Sequence, residues 1–155
     1  LANEPRGLLK YVTAGGTLIV QYQQTDYVAR NLPPYVPAEP GGGNSRVTDE
    51  TAPVTILAPQ HAVFTFPNRI SPADFQGWVQ ERNLYAFPVV DPRYTPLLET
   101  ADPGEPAQRG GQVYARIGKG HYVYTAYSWF RQLPAGVPGA YRQFANLISL
   151  SRAPQ

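Results

Sequence analysis

The densest set of chemically capable side chains lies in RVTDETAPV, Arg46 to Val54, where Arg46, Thr48, Asp49, Glu50 and Thr51 crowd together in a chain that is only 15% charged. Such a cluster could hold a metal or a sugar, supply a pair of catalytic carboxylates, or cap its own backbone. Adjacent residues of an extended segment point to opposite faces, so Asp49 and Glu50 do not converge on one reacting bond as an acid and base must. Asp and Thr in loops bond backbone N–H groups a residue or two on, which makes capping the expected role. The alternative is that Arg46 or Arg69 pairs with Asp49 or Glu50 and pins the long loop to the domain.

Other chemistries find less material. Serine hydrolysis needs an exposed serine on a strained turn beside a histidine, and no GxSxG occurs. His61 and His121 are far apart in sequence, and neither has a neighbouring carboxylate of metal-ligand spacing. The glycines of GKG, Gly118 to Gly120, join two alternating segments instead of opening a helix, which suits a hairpin and not a phosphate cradle. Aromatic residues supply a sugar-binding alternative: Trp78 beside Phe75, and Tyr114, Tyr122, Tyr124 and Tyr127 around the GKG turn. The same residues also suit a packed core, since tyrosine fills a half-buried strand face and keeps its hydroxyl wet.

The elements that must position these groups read as a mixed α/β pattern. Asn3, Glu4 and Pro5 spell a helix start, Leu8, Leu9 and Val12 one apolar face, and Gly15 and Gly16 a stop. TLIVQY, Thr17 to Tyr22, has consecutive apolar residues of the kind that suits a strand covered on both faces in a parallel sheet. Residues 23–53 form a long Pro/Gly-rich loop without regular elements. VTIL adds a short strand, and SPADFQGWVQER a short helix with Ser71 as cap, Pro72 at the first position and a buried stripe of Phe75, Trp78 and Val79. YTPLLET reads as a strand that Pro96 places at an edge or limits to its second half. QVYARI and HYVYTAY form a β-hairpin, and Tyr141, Phe144, Leu147 and Ile148 mark the inner face of a closing helix.

The totals bound the partners. At 155 residues, one domain spanning 1–155 is expected, with enough chain for a real core. Net charge is +2, with 13 basic and 11 acidic residues scattered along the chain, so no basic run tracks a nucleic-acid backbone. Without cysteine there is no disulfide, thiolate ligand or cysteine nucleophile. No apolar run is long enough to span a membrane. The chain opens on Leu1 and contains no methionine, so a chain processed, trimmed or cut from a longer one is expected, a fragment whose beginning is missing.

LLKYVTAGGTLIVQYQ, RVTDETAPVTIL, PNRISPADFQGWVQERNLY, DPRYTPLLETAD and RIGKGHYVYTAYSWFRQLPAGVPGAYRQFANLISL together resemble the C-terminal region of large bacterial PIG-L (LmbE-like) deacetylases. That region is similar to the flavodoxin-like sandwich of class I glutamine amidotransferase-like and ThuA-like domains. The resemblance implies a partly parallel sheet with a C-terminal hairpin and closing helix, its first strands lying upstream. It also implies zinc-dependent deacetylation of N-acetyl sugars in an N-terminal domain whose HPDDE-like motif has no counterpart here. Zinc is therefore expected only in that domain, with no cofactor and no catalytic residue in this chain. The expected function is a non-catalytic accessory domain for packing, oligomerisation or glycan presentation. Its partners would be its own N-terminal deacetylase domain, a glycan or a second copy, and its location secreted or periplasmic. Two alternatives stand beside it: a carbohydrate-binding module using Arg46, Asp49, Glu50, Arg69, Trp78, His121 and Tyr124, and a ThuA-like hydrolase in which His121 and Asp49 meet in one cleft.

Overall fold

The computed structural model describes residues 5–24, 26–30, 32–35 and 45–154. In chain order its elements begin with helix α1 (Pro5–Thr13), strand β1 (Thr17–Gln21), the single turn α2 (Asp26–Ala29), and strands β2 (Arg46–Val47) and β3 (Val54–Ile56). Helix α3 (Ala62–Thr65), a 3-10 turn at Pro72–Phe75, and strands β4 (Asn83–Leu84), β5 (Thr95–Pro96) and β6 (Leu98–Thr100) follow. The hairpin strands β7 (Gln112–Ile117) and β8 (Gly120–Thr125), helices α4 (Trp129–Gln132) and α5 (Pro138–Ser149), and a 3-10 turn at Leu150–Arg152 complete it.

The main sheet runs β1-β8-β7-β5, with β1 parallel to β8 and the other pairs antiparallel. The fold is therefore α/β with a partly parallel sheet. Strand alternation divides its two faces. Val113, Ala115, Tyr122 and Tyr124 face a cluster with Tyr27, Phe87 and Tyr94, while Val123, Tyr114 and Ile19 face the other cluster, where Phe64, Trp78, Trp129 and Leu147 pack. Gly118 at φ +58 supplies the positive φ that the two-residue turn between Ile117 and Gly120 requires.

Several expectations are corrected. β1 is covered in part on both faces, Ile19 packing on one cluster and Leu18 and Val20 on the other, but it lies at the sheet edge and every residue in it is only half-buried. The stretch 23–53 contains α2 and β2; residues 25, 31 and 36–44 of it, like the expected cap Asn3 and Glu4, lie outside the described residues. YTPLLET divides in two, Pro96 ending a short edge pairing with β7 while Leu98–Thr100 pairs with β3.

The helix expected over SPADFQGWVQER shrinks to Pro72–Phe75, with the Ser71 N–H donating to Asp74 Oδ2 at 2.8 Å. Backbone groups that would continue it are taken by side chains. Phe75 O accepts from Arg82 Nη1, Val79 N donates to Gln132 Oε1, and Val79 O accepts from Gln132 Nε2. The inner face of α5 is rotated as well. Gly139, Ala140, Gln143, Asn146 and Leu147 are buried, whereas Tyr141 and Ile148 are 51% and 57% exposed. Asn146 can occupy that face because its groups are satisfied there, Nδ2 donating to Val63 O and Asn68 O and Oδ1 accepting from Asn68 N; Gln143 Nε2 donates to Asp74 O at 3.4 Å, while its Oε1 has no partner among the described residues.

Candidate functional site

RVTDETAPV is a latch built around two buried charges from elsewhere in the chain. The Asp102 carboxylate, 9% exposed, accepts from Thr48 N at 2.9 and 3.0 Å, Thr48 Oγ1 at 3.0 Å and Asp49 N at 2.8 Å. Burial opposes its ionisation, but those donors outweigh burial and hold the carboxyl below its ordinary range. Asp49 itself accepts from Thr51 N and Thr51 Oγ1, a local turn that lowers its pKa through the hydroxyl first and the N–H second. Under the segment lies Arg82, 4% exposed, donating from Nε to Ala52 O and from Nη1 to Phe75 O, with its guanidinium 5.6 Å from the Trp78 ring centre. Burial lowers the Arg82 pKa; Tyr127, then Asp49 and Glu50, act in the opposite sense.

The remaining sequence-nominated residues disperse. Arg46 meets Glu105, not Asp49 or Glu50, at 3.4 Å with both side chains about 40% exposed, a pair of little energetic weight. Arg69 is exposed and offers its carbonyl to Arg142, so neither arginine pins the acidic pair. Trp78 and Tyr124 are core residues at 4% and 1% exposure; Tyr124 stacks on Phe87 at 4.1 Å and donates to Tyr85 O at 2.6 Å. Neither ring presents a face to a sugar. His121 starts β8, while the Asp49 latch adjoins the chain past the end of β8, where Arg82 O accepts from Ser128 N. The four residue steps from His121 to Thr125 alone span about 13 Å, so His121 and Asp49 form no common cleft.

The surface that stands out is the outer edge of β1, which pairs with no strand among the described residues. TLIVQ carries no charge and no proline, whereas the opposite edge, β5, is two residues long and blunted by Pro96. On one face of β1 an apolar groove of about 120 Å³ is lined by Leu8, Leu9, Leu18, Val20, Tyr27 and Leu32. On the other, Tyr11 and Ile148, each 57% exposed, flank Thr17 and Ile19 around a depression of about 260 Å³.

At the carboxyl end of β1 the chain tightens into a polar and aromatic knot. The Tyr22 hydroxyl donates to Glu81 Oε1, which also accepts from Arg131 Nε at 3.1 Å. Tyr22 meets Phe130 and Tyr85 edge-on at 4.8 and 5.5 Å, and burial, then the Glu81 bond, pushes its pKa up. Tyr22, Gln80 and Tyr85 all have positive φ, at +49°, +70° and +70°, an uncommon and costly state for side chains of this size. Ser128 Oγ donates to Glu81 O and accepts from Gln132 Nε2, so its hydroxyl is used structurally. This knot fixes the end of the open strand.

Sequence reasoning missed Asp102, Arg82, Glu81 and Tyr22. For Asp102, Arg82 and Glu81 the sole local signal is a charge in a chain poor in charge, and Tyr22, one of 11 tyrosines, has none; their partners lie 7 to 59 residues away. Among the described residues no three His, Asp or Glu side chains gather as a metal set, and no helix is long and apolar enough to cross a membrane. No family model matches the chain, and no curated protein or solved structure matches it either.

Proposed function

We propose that this chain is a non-catalytic, amidotransferase-like accessory domain of a PIG-L-type deacetylase, and that it works by docking its β1 edge onto the deacetylase domain that precedes it. The observation that carries the docking is the uncharged, unblunted edge of β1 with apolar depressions on both faces. An incoming strand would gain backbone hydrogen bonds at Thr17 and Ile19, short of Gln21, whose carbonyl already accepts from Gln23 Nε2 at 2.9 Å, and would drop alternate side chains into the two depressions. A partner strand without charge fits best, because a charged side chain placed against Leu18, Val20 or Ile19 would lose its water. The assignment to the deacetylase family is supported by the ordered sequence resemblance, and the non-catalytic reading by the absence of cysteine from the sequence and by the structural employment of Ser128.

The test is sedimentation of the chain alone and mixed with the separately expressed deacetylase domain. Association is expected, and Ile19→Lys is expected to abolish it with the circular dichroism spectrum unchanged. A wild-type chain that stays apart from the deacetylase domain at about 100 µM would defeat the docking, and self-association in its place would make the partner a second copy. Acetate release from N-acetyl sugars by the chain alone with zinc would defeat the non-catalytic reading.

A further inference from the structure

We propose that the pocket between the Gly118 hairpin turn and the C-terminal 3-10 turn binds a small oxyanion of the phosphate class through Arg116, His121 and Ser151. It lies at the amino end of β8, opposite the Tyr22 knot, and does not depend on the docking surface. The cavity is about 320 Å³, walled by Ala62, Leu150 and Pro154 and lined on its polar side by Arg116, His121 and Ser151.

Arg116 and His121 are directly opposed across the β7–β8 ladder. Like charges at such positions destabilise a sheet. The pair persists by using the neutral imidazole: Arg116 Nη1 lies 3.3 Å from His121 Nε2, and Nδ1 lies 3.0 Å from the Tyr114 hydroxyl. Because arginine only donates, Nε2 accepts and the ring proton sits on Nδ1, an assignment that follows from the network. Arg116 Nε is occupied by Gly118 O at 3.3 Å, while Nη2 bonds no partner among the described residues. No carboxylate among the described residues approaches Arg116 or His121 within 4.0 Å, and the other side chains that wall the pocket carry no charge.

Those neighbours come from three elements. On β7, Tyr114 lies between the two imidazoles, its ring 4.4 Å from that of His61 and 5.9 Å from that of His121. His61 caps α3 by accepting from Val63 N on Nδ1, which leaves the proton on Nε2. The C-terminal turn contributes Ser151 to the lining. Burial and then Arg116 lower the His121 pKa; burial and then His121 lower that of His61. A tetrahedral oxyanion would take the free Nη2 of Arg116 and the Ser151 hydroxyl, and it would let His121 gain a proton and donate from Nε2. Arginine's fork suits phosphate oxygens, so anion uptake and proton uptake are coupled and binding strengthens as pH falls toward 6. The carboxyl end of α5 opposes the anion, which makes the site a weak one.

The chain has only two histidines, so imidazole NMR reads the site directly. Titration with inorganic phosphate is expected to shift the His121 signal saturably and to raise its pH midpoint by roughly half a unit, with little change at His61. Arg116→Gln is expected to weaken that response about tenfold or more, and Arg116→Lys to leave it between the two. No saturable shift in the wild-type protein overturns the proposal, and so does an equal shift in sodium chloride of matched ionic strength. An acetate response equal to that of phosphate overturns the phosphate class.

Discussion

Removing the Asp102 carboxylate separates the latch from the local turn that its sequence suggests. Asp102→Ala deprives Thr48 N, Thr48 Oγ1 and Asp49 N of their acceptor. Three such bonds at about 1 kcal/mol each give roughly 3 kcal/mol. Thr48 is exposed, so water replaces part of the loss and the expected cost is about 2 kcal/mol. For a chain of this length that corresponds to a fall in Tm of about 4 to 8 °C. Asp102→Asn retains one acceptor oxygen and is expected to cost about half as much.

Urea and thermal melts of both variants at neutral pH supply the measurement, and a cycle with Thr48→Val should show coupling, because the two residues share one network. The acid dependence has a definite sign. The folded Asp102 pKa is depressed, so its contribution is present above the unfolded value near 3.9 and is lost as pH falls through the folded value. The gap between wild type and Asp102→Ala should therefore close below about pH 4. An Asp102→Ala protein that melts with the wild type at neutral pH, or a gap that stays constant into acid, would refute the latch.

Gly139 packs so closely on the Pro72–Phe75 turn that a Cβ would lie 1.9 Å from Asp74 O; Gly139→Ala is expected to cost on the order of 3 kcal/mol, and an unchanged urea midpoint would contradict that contact. Ile148→Ser should change the stability of the chain by less than about 0.5 kcal/mol, whereas Leu147→Ala should cost about 2 to 5 kcal/mol, an order that chemical denaturation of the two variants checks. Both histidines have folded pKa values below their unfolded ones, so the unfolded chain takes up protons first and stability falls as pH drops below about 6.5. A Tm that rises between pH 7 and pH 5.5, or a His121→Gln variant with the same slope as wild type, would contradict the environment described for His121.

The parts of this protein legible in the sequence are those whose cause is local. The GKG hairpin follows from alternation and a turn glycine, α1 from its apolar spacing, the Ser71–Asp74 cap from a three-residue interval, and the Asp49–Thr51 turn from side chains two positions apart. Each is fixed by bonds that close within a few residues, so residue order contains the information. What fails in the same reading is orientation. Hydrophobicity points the inner face of α5 to Tyr141, Phe144, Leu147 and Ile148, yet Gln143 and Asn146 turn inward because carbonyls of Val63, Asn68 and Asp74 lie there to receive them.

Tertiary structure alone decided which charges are buried and which edge is open. Asp102 reaches Thr48 across 54 positions and Arg82 reaches Ala52 across 30, and neither partner can be inferred from spacing. The apolar run TLIVQ specifies a strand, but only the pairing of β1 with β8 leaves its other side without a strand partner among the described residues. A run of side chains determines what a segment prefers to become; the desolvation of its groups, and hence their chemical use, depends on neighbours brought from distant parts of the chain.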